Sequence, residues 1–189
     1  IMPPQKAEIF AKKVAVAMSV CRKTPVYVDC NAISPKTALS ISEIISDAGA
    51  KMLNVGIIGP PPGRGGFTKF YASGDDVELL NFIDGDEMKF IPVSGDLSSA
   101  SSIKMCYAAL TKGMMTLQTS VLIAAELLGV SDEVHDEIAQ SQKFHWKSMN
   151  ERVSMYACDS DRWAGEMDQI SDTFDTVGIT PNLHKGAAD

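Results

Sequence analysis

A proline-free stretch between Gly95 and Gly129 constrains the fold of this chain more than any other feature. It opens with a serine-rich segment and closes on a glycine, which predicts one helix from about Ser98 to Leu128. At about 1.5 Å per residue, this helix would be roughly 45 Å long, the span of a whole small domain. Its apolar side chains occur on most sides, so we expect other elements to bury it. They are Ile103, Met105, Cys106, Leu110, Met114, Leu117 and Leu122.

Lys104 is the residue that does not fit this apolar helix. No acidic side chain occurs between Asp96 and Glu126, so no helical neighbour can neutralise it. A desolvated lysine without an ion pair has a lowered pKa, which suits acid–base chemistry. The alternative is that its stem lies on apolar surface while the ammonium reaches solvent at the helix margin. Lys112, two turns further along, is expected to reach solvent or the domain boundary.

Strands and helices alternate in the segment before this helix. Apolar residues recur at helical spacing over residues 5–21, where Phe10, Val14, Ala17 and Cys21 predict the inner face. A second helix begins at Ser34-Pro35 and ends at Gly49. Strands are predicted over 24–29, 51–58, 68–73 and 88–93, with a buried strand ending at residues 1–4 and a short helix over 75–82. This order indicates an α/β unit with a largely parallel sheet.

Only helices are predicted after the long helix, over residues 131–141, 142–156 and 160–177. Residues 1–130 carry 12 acidic and 12 basic side chains, whereas residues 131–189 carry 12 acidic and 5 basic ones. This charge step predicts two structural units that meet near Gly129, and it argues against a nucleic-acid partner. Polar residues interrupt every apolar run, so no membrane span is expected. The cysteines and histidines lack metal-ligand spacing, which predicts no metal site. The four cysteines are widely spaced and no signal peptide precedes them, which predicts reduced thiols in a cytoplasmic protein.

Three segments carry a family resemblance, in the right order along the chain. Val28–Pro35 is similar to a D-x-S-T-x-x-P loop, and Asn54–Gly59 is similar to D-A-P-V-S-G-G. Gly95–Lys104 is similar to the start of G-x-G-x-x-x-K-x-x-x-N. These motifs belong to the β-hydroxyacid dehydrogenase superfamily, which includes 6-phosphogluconate and 3-hydroxyisobutyrate dehydrogenases. Residues 162–188 resemble a 6-phosphogluconate dehydrogenase-like subfamily that has a short helical C-terminal domain.

The resemblance implies a two-part architecture and a reaction class. Residues 1–94 would be a partial Rossmann-type NAD(P)-binding domain that lacks the G-x-G-x-x-G unit, so we expect the chain to be an internal fragment. Residues 95–189 would hold the interdomain helix and a 6-phosphogluconate dehydrogenase C-terminal-like helical domain. The implied activity is NADP- or NAD-dependent oxidation of a small hydroxy acid, in some relatives followed by decarboxylation. The resemblance and the long apolar helix together predict a homodimer.

The same resemblance implies a role for each of seven residues. Lys104 would be the catalytic acid/base. The others would bind the substrate (Asn31, Gly59 and Tyr107) or lie near the cofactor (Pro3, Pro4 and Ala32).

Three positions depart from the family pattern. Asn31 replaces the substrate-binding serine, Ile58 replaces the serine of S-G-G, and Ala108 replaces the asparagine four residues after the lysine. Asn31 still donates and accepts hydrogen bonds, whereas Ile58 and Ala108 remove polar groups. A non-catalytic binding or dimerisation module that retains the dehydrogenase fold is therefore the alternative function.

Overall fold

The computed structural model describes residues 1–156 and 158–189. Its first part contains two helices and four strands. The helices are α1 (Ala7–Cys21) and α2 (Pro35–Asp47), and the strands are β1 (Tyr27–Asp29), β2 (Met52–Ile58), β3 (Thr68–Ser73) and β4 (Met88–Pro92). Two 3₁₀ turns, Pro4–Lys6 and Val77–Ile83, accompany them. The α/β assignment is confirmed, but residues 1–3 form no strand, and Ile1 is exposed.

The four strands form one sheet in the order β1-β2-β3-β4. The β1–β2 and β3–β4 pairs are parallel, whereas β2 and β3 are antiparallel. The sheet is therefore mixed rather than largely parallel. The reason is the glycine- and proline-rich segment 59–67, which is shorter than the dozen or more residues that a parallel crossover requires.

Helix α2 confirms the capping signals in its sequence. The Oγ atom of Ser34 accepts a hydrogen bond from the backbone N–H of Thr37 at 3.1 Å, and Pro35 occupies the first turn. The inner face of α2 packs against α1 through apolar residues of both helices. The predicted inner face of α1 is wrong, because Phe10 is exposed. The small residues Ala7 and Ala11 are buried instead, which lets the two helices approach closely.

Helix α3 (Ser99–Leu128) confirms the predicted long helix almost to the residue. Strand side chains satisfy its first backbone N–H groups. The Oγ atom of Ser73 accepts from Ala100 N at 3.0 Å, and the Oδ1 atom of Asn54 accepts from Ser101 N at 2.9 Å. Since these N–H groups have no partner inside the helix, the sheet fixes both the position and the direction of α3.

Four further helices complete the described chain: α4 (Ser131–Ser141), α5 (Lys143–Tyr156), α6 (Ser160–Thr176) and α7 (Asn182–Ala188). Sequence reasoning missed α7, which follows Gly178 and Pro181. Met105, Ala108 and Ala109 of α3 pack against Met167 and Ile170 of α6. The opposite side of α3 is not covered as predicted, because Leu110 and Leu117 are exposed. No helix of the described residues is long and apolar enough to cross a membrane.

Candidate active site

A cavity of about 640 Å³ opens where β1 and β2 end, between the first residues of the chain, α3 and α6. The carboxyl ends of parallel strands meet at one edge of a sheet, which brings the segments after β1 and β2 together. Six of the seven residues predicted from sequence line this cavity: Pro3, Pro4, Asn31, Ala32, Gly59 and Lys104.

Lys104 extends from the first turns of α3 towards the end of β2. Its Nζ atom donates a hydrogen bond to the carbonyl oxygen of Ile57 at 2.6 Å. Within the described residues it forms no ion pair, so the predicted unpaired lysine is observed. Burial lowers the pKa of Lys104 below its ordinary value of 10.5, and the positive charge of Arg162 lowers it further. The ammonium therefore lies in the lining of the cavity rather than at the solvent-exposed margin of the helix.

Gly56 explains why α3 lies so close to β2. A Cβ atom at this position would lie 2.6 Å from the carbonyl oxygen of Ala100 and 3.0 Å from the Cβ of Lys104. Any larger residue would therefore push α3 away from the strand. The absence of a side chain at Gly56 is what allows Lys104 to reach the carbonyl of Ile57.

Asn31 is 5% exposed and holds the floor of the cavity together. Its backbone N–H and its Nδ2 donate to the two carboxylate oxygens of Asp29 at 2.8 and 2.9 Å. Its Oδ1 accepts from the backbone N–H of Met2 at 2.7 Å. An asparagine amide has two hydrogens and two lone pairs, so one of each is left for a ligand.

Gly59 and Tyr107 differ in their relation to the cavity. Gly59 has a φ of +126°, and a Cβ there would lie 2.5 Å from the carbonyl oxygen of Phe67. The loop after β2 therefore needs glycine at this position, which leaves the backbone open to the cavity. Tyr107 is 47% exposed and lies outside the cavity lining, so its substrate-binding role stays a prediction without a contact to carry it.

Four cavity residues on α3 and α6 were not predicted as site residues: Lys112, Arg162, Trp163 and Glu166. Of the two positions expected for Lys112, solvent or the domain boundary, the first is wrong, because Lys112 lines the cavity between the first part of the chain and α6. Its side chain is 12% exposed and pairs with the carboxylate of Glu166, whose side chain is 6% exposed. Burial lowers the pKa of Lys112 to about 7, with further lowering by the charges of Lys104 and Arg162. No local signal reveals this pair, because its partners lie 54 residues apart.

Cys30 also lines the cavity, but as a protonated thiol. Burial raises the pKa of Cys30 to about 11, and the negative charge of Asp29 raises it further. A thiol is a much weaker nucleophile than a thiolate, so covalent chemistry at Cys30 is not favoured. A smaller cavity of about 280 Å³ lies at the other end of the sheet, lined by Lys51 and Asp76 among others. There the lysine and the aspartate pair with each other, whereas Lys104 in the larger cavity has no carboxylate partner among the described residues.

Comparison with known structures defines the class of this fold. Residues 125–189 match a family model described as a domain of unknown function, DUF1932. A conserved protein of unknown function, MTH1747, is described as structurally similar to 3-hydroxyacid dehydrogenases. It superposes with a TM-score of 0.68 at 24% identity, over 98% of this chain and 70% of that one. A comparison with curated protein sequences gives no match.

Two further structures show the same architecture. A conserved hypothetical protein from Sinorhizobium meliloti 1021 has a TM-score of 0.71 at 20% identity, over 96% of this chain and 62% of that one. The 3-hydroxyisobutyrate dehydrogenase of Mycobacterium tuberculosis, solved with L-serine, has a TM-score of 0.65 at 16% identity, over 96% of this chain and 69% of that one. The chain therefore has the fold of the 3-hydroxyacid dehydrogenases, and the resemblance drawn from its motifs is confirmed at the level of fold.

Proposed function

We propose that this protein is an NAD(P)-dependent oxidoreductase that acts on a small hydroxy acid, with Lys104 as its acid/base. The observation that carries the proposal is the position of Lys104. Its Nζ faces a 640 Å³ cavity, is held by the Ile57 carbonyl, and has no carboxylate partner among the described residues. Burial lowers the pKa of a lysine in this setting, so the neutral amine that accepts a proton is populated at lower pH than in an exposed lysine.

The proton chemistry follows from the two charge states of Lys104. During oxidation the neutral amine takes the proton of the substrate hydroxyl as the C–H bond breaks and the C=O bond forms. During reduction the ammonium returns a proton to the carbonyl oxygen. The hydrogen bond to Ile57 keeps Nζ in place in both states, because a neutral amine still carries N–H donors.

The wall formed by Pro3, Pro4 and Ala32 suits the flat face of a nicotinamide ring. The Met2–Asn31 hydrogen bond holds these apolar residues beside the ends of the strands. A bound nicotinamide cofactor would accept or donate the hydride. The chain's residues would supply the apolar wall, the exclusion of water and the proton at Lys104. NADP and NAD share the nicotinamide ring, so this wall does not distinguish between them.

The alternative is a non-catalytic module, and two features favour it. Ile58 is apolar and buried, and Ala108 is packed in the α3–α6 core. Neither side chain therefore supplies a polar group to the substrate. A module without catalysis does not, however, require an unpaired lysine in a cavity, since an apolar residue there would be more stable. The chemistry at Lys104 therefore favours the enzyme.

The decisive experiment is a substrate screen on the protein as its gene encodes it. Small 2- and 3-hydroxy acids are offered with NADP⁺ or NAD⁺, and formation of the reduced nicotinamide is followed by absorbance. Activity that is lost in Lys104→Met and kept in Lys143→Met would support the proposal. Lys143 is an exposed lysine on α5 and provides the matched control. Turnover that is the same in both variants would contradict it.

A further inference from the structure

We infer that Lys112 and Arg162, bridged by Glu166, form a subsite for a carboxylate or phosphoryl oxyanion on the α6 side of the cavity. The inference rests on the proposed function and adds its substrate class: the hydroxyl would lie at Lys104, and the molecule would carry its negative charge at the other end. None of the motifs that carry the family resemblance includes Lys112.

The charges around the cavity are unbalanced in favour of an anion. Glu166 uses both carboxylate oxygens: Oε1 accepts from Nη1 of Arg162 at 3.0 Å, and Oε2 pairs with Lys112. Lys104 is the third cation of the lining, so the cavity wall holds three positive groups and one carboxylate. Asp159 pairs with the other guanidinium nitrogen at 2.9 Å, with a side chain 46% exposed on the outer side of α6.

Lys104 and Lys112 lie on the same cavity wall, and Lys112 is paired with Glu166 whereas Lys104 is not. The charge of Lys104 acts on Lys112 in addition to burial, and together they bring the pKa of Lys112 to about 7. The Glu166 carboxylate is already engaged by Arg162 and Lys112. An oxyanion in the cavity would lie close to several cations and would offset their desolvation and mutual repulsion.

Both cations of this subsite are held in place. The Nζ of Lys112 lies 5.4 Å from the ring centroid of Trp163, and the guanidinium carbon of Arg162 lies 5.9 Å from it. Together with the contacts to Glu166, the indole ring restricts both side chains before a ligand arrives. Preorganised donors of this kind bind an anion without a large entropic cost of ordering side chains.

The loop after β2 offers little competition for the negative group. Ile58, the last residue of β2, is 8% exposed and apolar, and Gly59 and Pro61 are the loop residues that line the cavity, so the loop brings no charged side chain to the cavity lining. A substrate with one hydroxyl and one oxyanion would therefore span the cavity from Lys104 to α6. A neutral alcohol would leave Lys112 and Arg162 without an anionic partner.

The titration of Lys112 gives this subsite a pH dependence. The titratable and charged groups around it are Lys104 on α3, Arg162 and Glu166 on α6, Asp159 just before α6, and Asp29 with Cys30 across the cavity. Burial raises the pKa of Asp29 and brings that of Cys30 to about 11, whereas it lowers the pKa of Lys104 and brings that of Lys112 to about 7. We expect oxyanion affinity to fall as pH rises through about 7, and a bound oxyanion to raise the pKa of Lys112.

Calorimetric titration with sodium sulfate tests the subsite, with sodium chloride at matched ionic strength as the reference. Sulfate keeps its charge throughout the pH range. The wild-type protein should bind sulfate, and Lys112→Met or Arg162→Gln should each weaken binding about tenfold or more. Lys143→Met, on the exposed side of α5, should leave it unchanged. Absence of sulfate binding in the wild type, or unchanged affinity in Lys112→Met, would overturn the inference.

Removing Lys112 alone leaves a buried carboxylate with one partner, so Lys112→Met can lose stability. The double variant Lys112→Met/Glu166→Gln removes both members of the pair and keeps the shape of the site. It should melt near the wild-type temperature and bind sulfate about tenfold or more weakly than the wild type. Retained sulfate affinity in a folded double variant would also overturn the inference.

Kinetics separate this inference from the proposed function. With a hydroxy acid as substrate, Lys112→Met should raise KM about tenfold or more, and the neutral amide of that acid should show no such change. A paired hydroxy phosphonate distinguishes a phosphoryl from a carboxylate preference. If Lys104→Met turned over normally while sulfate binding still required Lys112, the proposed function would fail and the subsite would stand. The reverse result would remove the subsite alone.

Discussion

The Nζ atom of Lys104 lies 2.6 Å from the carbonyl oxygen of Ile57. A backbone carbonyl orients the lysine but carries no full charge, so it does not stabilise the ammonium as a carboxylate would. The result is a lysine that is fixed in position while its pKa remains lowered. The same arrangement couples the end of β2 to the start of α3, and the first two predictions below depend on it.

The first prediction concerns the rate of the proposed reaction. Lys104→Met should reduce kcat by about 10²–10⁴-fold, which is the usual contribution of a general acid or base. Stability should stay within about 1 kcal/mol of the wild type, because the change removes a half-buried charge together with its hydrogen bond. Steady-state kinetics and thermal melts of this variant beside Lys143→Met provide the measurement. A kcat within a few-fold of wild type would remove Lys104 from the mechanism.

The second prediction is the pH dependence of catalysis in the two directions. Oxidation needs the neutral amine of Lys104, whose pKa is lowered from 10.5 by burial and then by Arg162. The kcat/KM for oxidation should therefore rise with pH and level off at the lowered pKa, while that for reduction should fall. Arg162→Gln removes one positive charge and should move both profiles to higher pH. Profiles that keep the same midpoint in Arg162→Gln would show that this charge does not act on Lys104.

The third prediction concerns acid sensitivity and His184. This side chain is 3% exposed, and its ring lies 4.6 Å from that of Phe174. Burial lowers the pKa of His184 below 6.5, so the unfolded chain binds a proton more readily than the folded one. Its contribution to stability is present above about pH 6.5 and is lost as the pH falls towards the lowered folded value.

Melting temperatures at several pH values check this. His184→Phe should lose less stability on acidification than the wild type. His135→Gln, on α4, should lose as much as the wild type. An equal acid-induced loss in wild type and His184→Phe would assign the effect to other groups.

The fourth prediction concerns the polar contact between α2 and α6. The Oε1 of Gln169 accepts hydrogen bonds from the backbone N–H of Ser34 at 2.7 Å and from Oγ1 of Thr37 at 2.9 Å. Gln169→Ala leaves these partly buried groups without their partner and should cost about 1–3 kcal/mol. Gln140→Ala, exposed on α4, is the matched control. Equal denaturation midpoints for the two variants would show that solvent replaces both bonds.

The fifth prediction is a homodimer, which we propose from the exposed apolar side of α3. Leu110 and Leu117 lie one heptad apart and are 66% and 58% exposed. Leu110→Glu/Leu117→Glu should dissociate the dimer in sedimentation experiments, since charge on an apolar interface is unfavourable. Val20→Glu introduces the same charge at an exposed position of α1 and should leave assembly intact. A wild-type monomer at high micromolar concentration would contradict the proposal.

Local chemistry explains which parts of the fold could be predicted. Ser34-Pro35 and Gly49 mark the two ends of α2, and Gly129 ends α3 in the left-handed conformation. These are signals between residues a few positions apart, which sequence displays directly. The inner face of α1 could not be predicted in this way, because close helix packing buries the small residues Ala7 and Ala11 rather than the larger Phe10. The direction of β3 depends on the length of the segment that joins it to β2 and on which strand it pairs with. The spacing of apolar residues along the sequence contains neither piece of information.

The candidate site divides in the same way. Lys104 stood out because its helical neighbours offer no carboxylate, and that absence is visible in sequence. The Lys112–Glu166 pair was hidden, since it joins α3 to α6 across 54 residues. An acidic residue on an amphipathic helix usually faces solvent, so nothing in the local pattern distinguishes Glu166 from the other acidic residues of α6. Only tertiary packing shows that it is buried beside Lys112.

Gly56 has a consequence for attempts to change the specificity of this protein. A methyl group at this position would meet the backbone of Ala100, which cannot rotate away as a flexible side chain can. Gly56→Ala should therefore cost about 1–3 kcal/mol and displace Lys104, whereas Gly85→Ala, with open space around it, should be tolerated. Mutant libraries that vary α6 and hold Gly56 constant should yield folded proteins with altered ligand preference. Libraries that include Gly56 should lose most of their members to misfolding before any selection for activity begins.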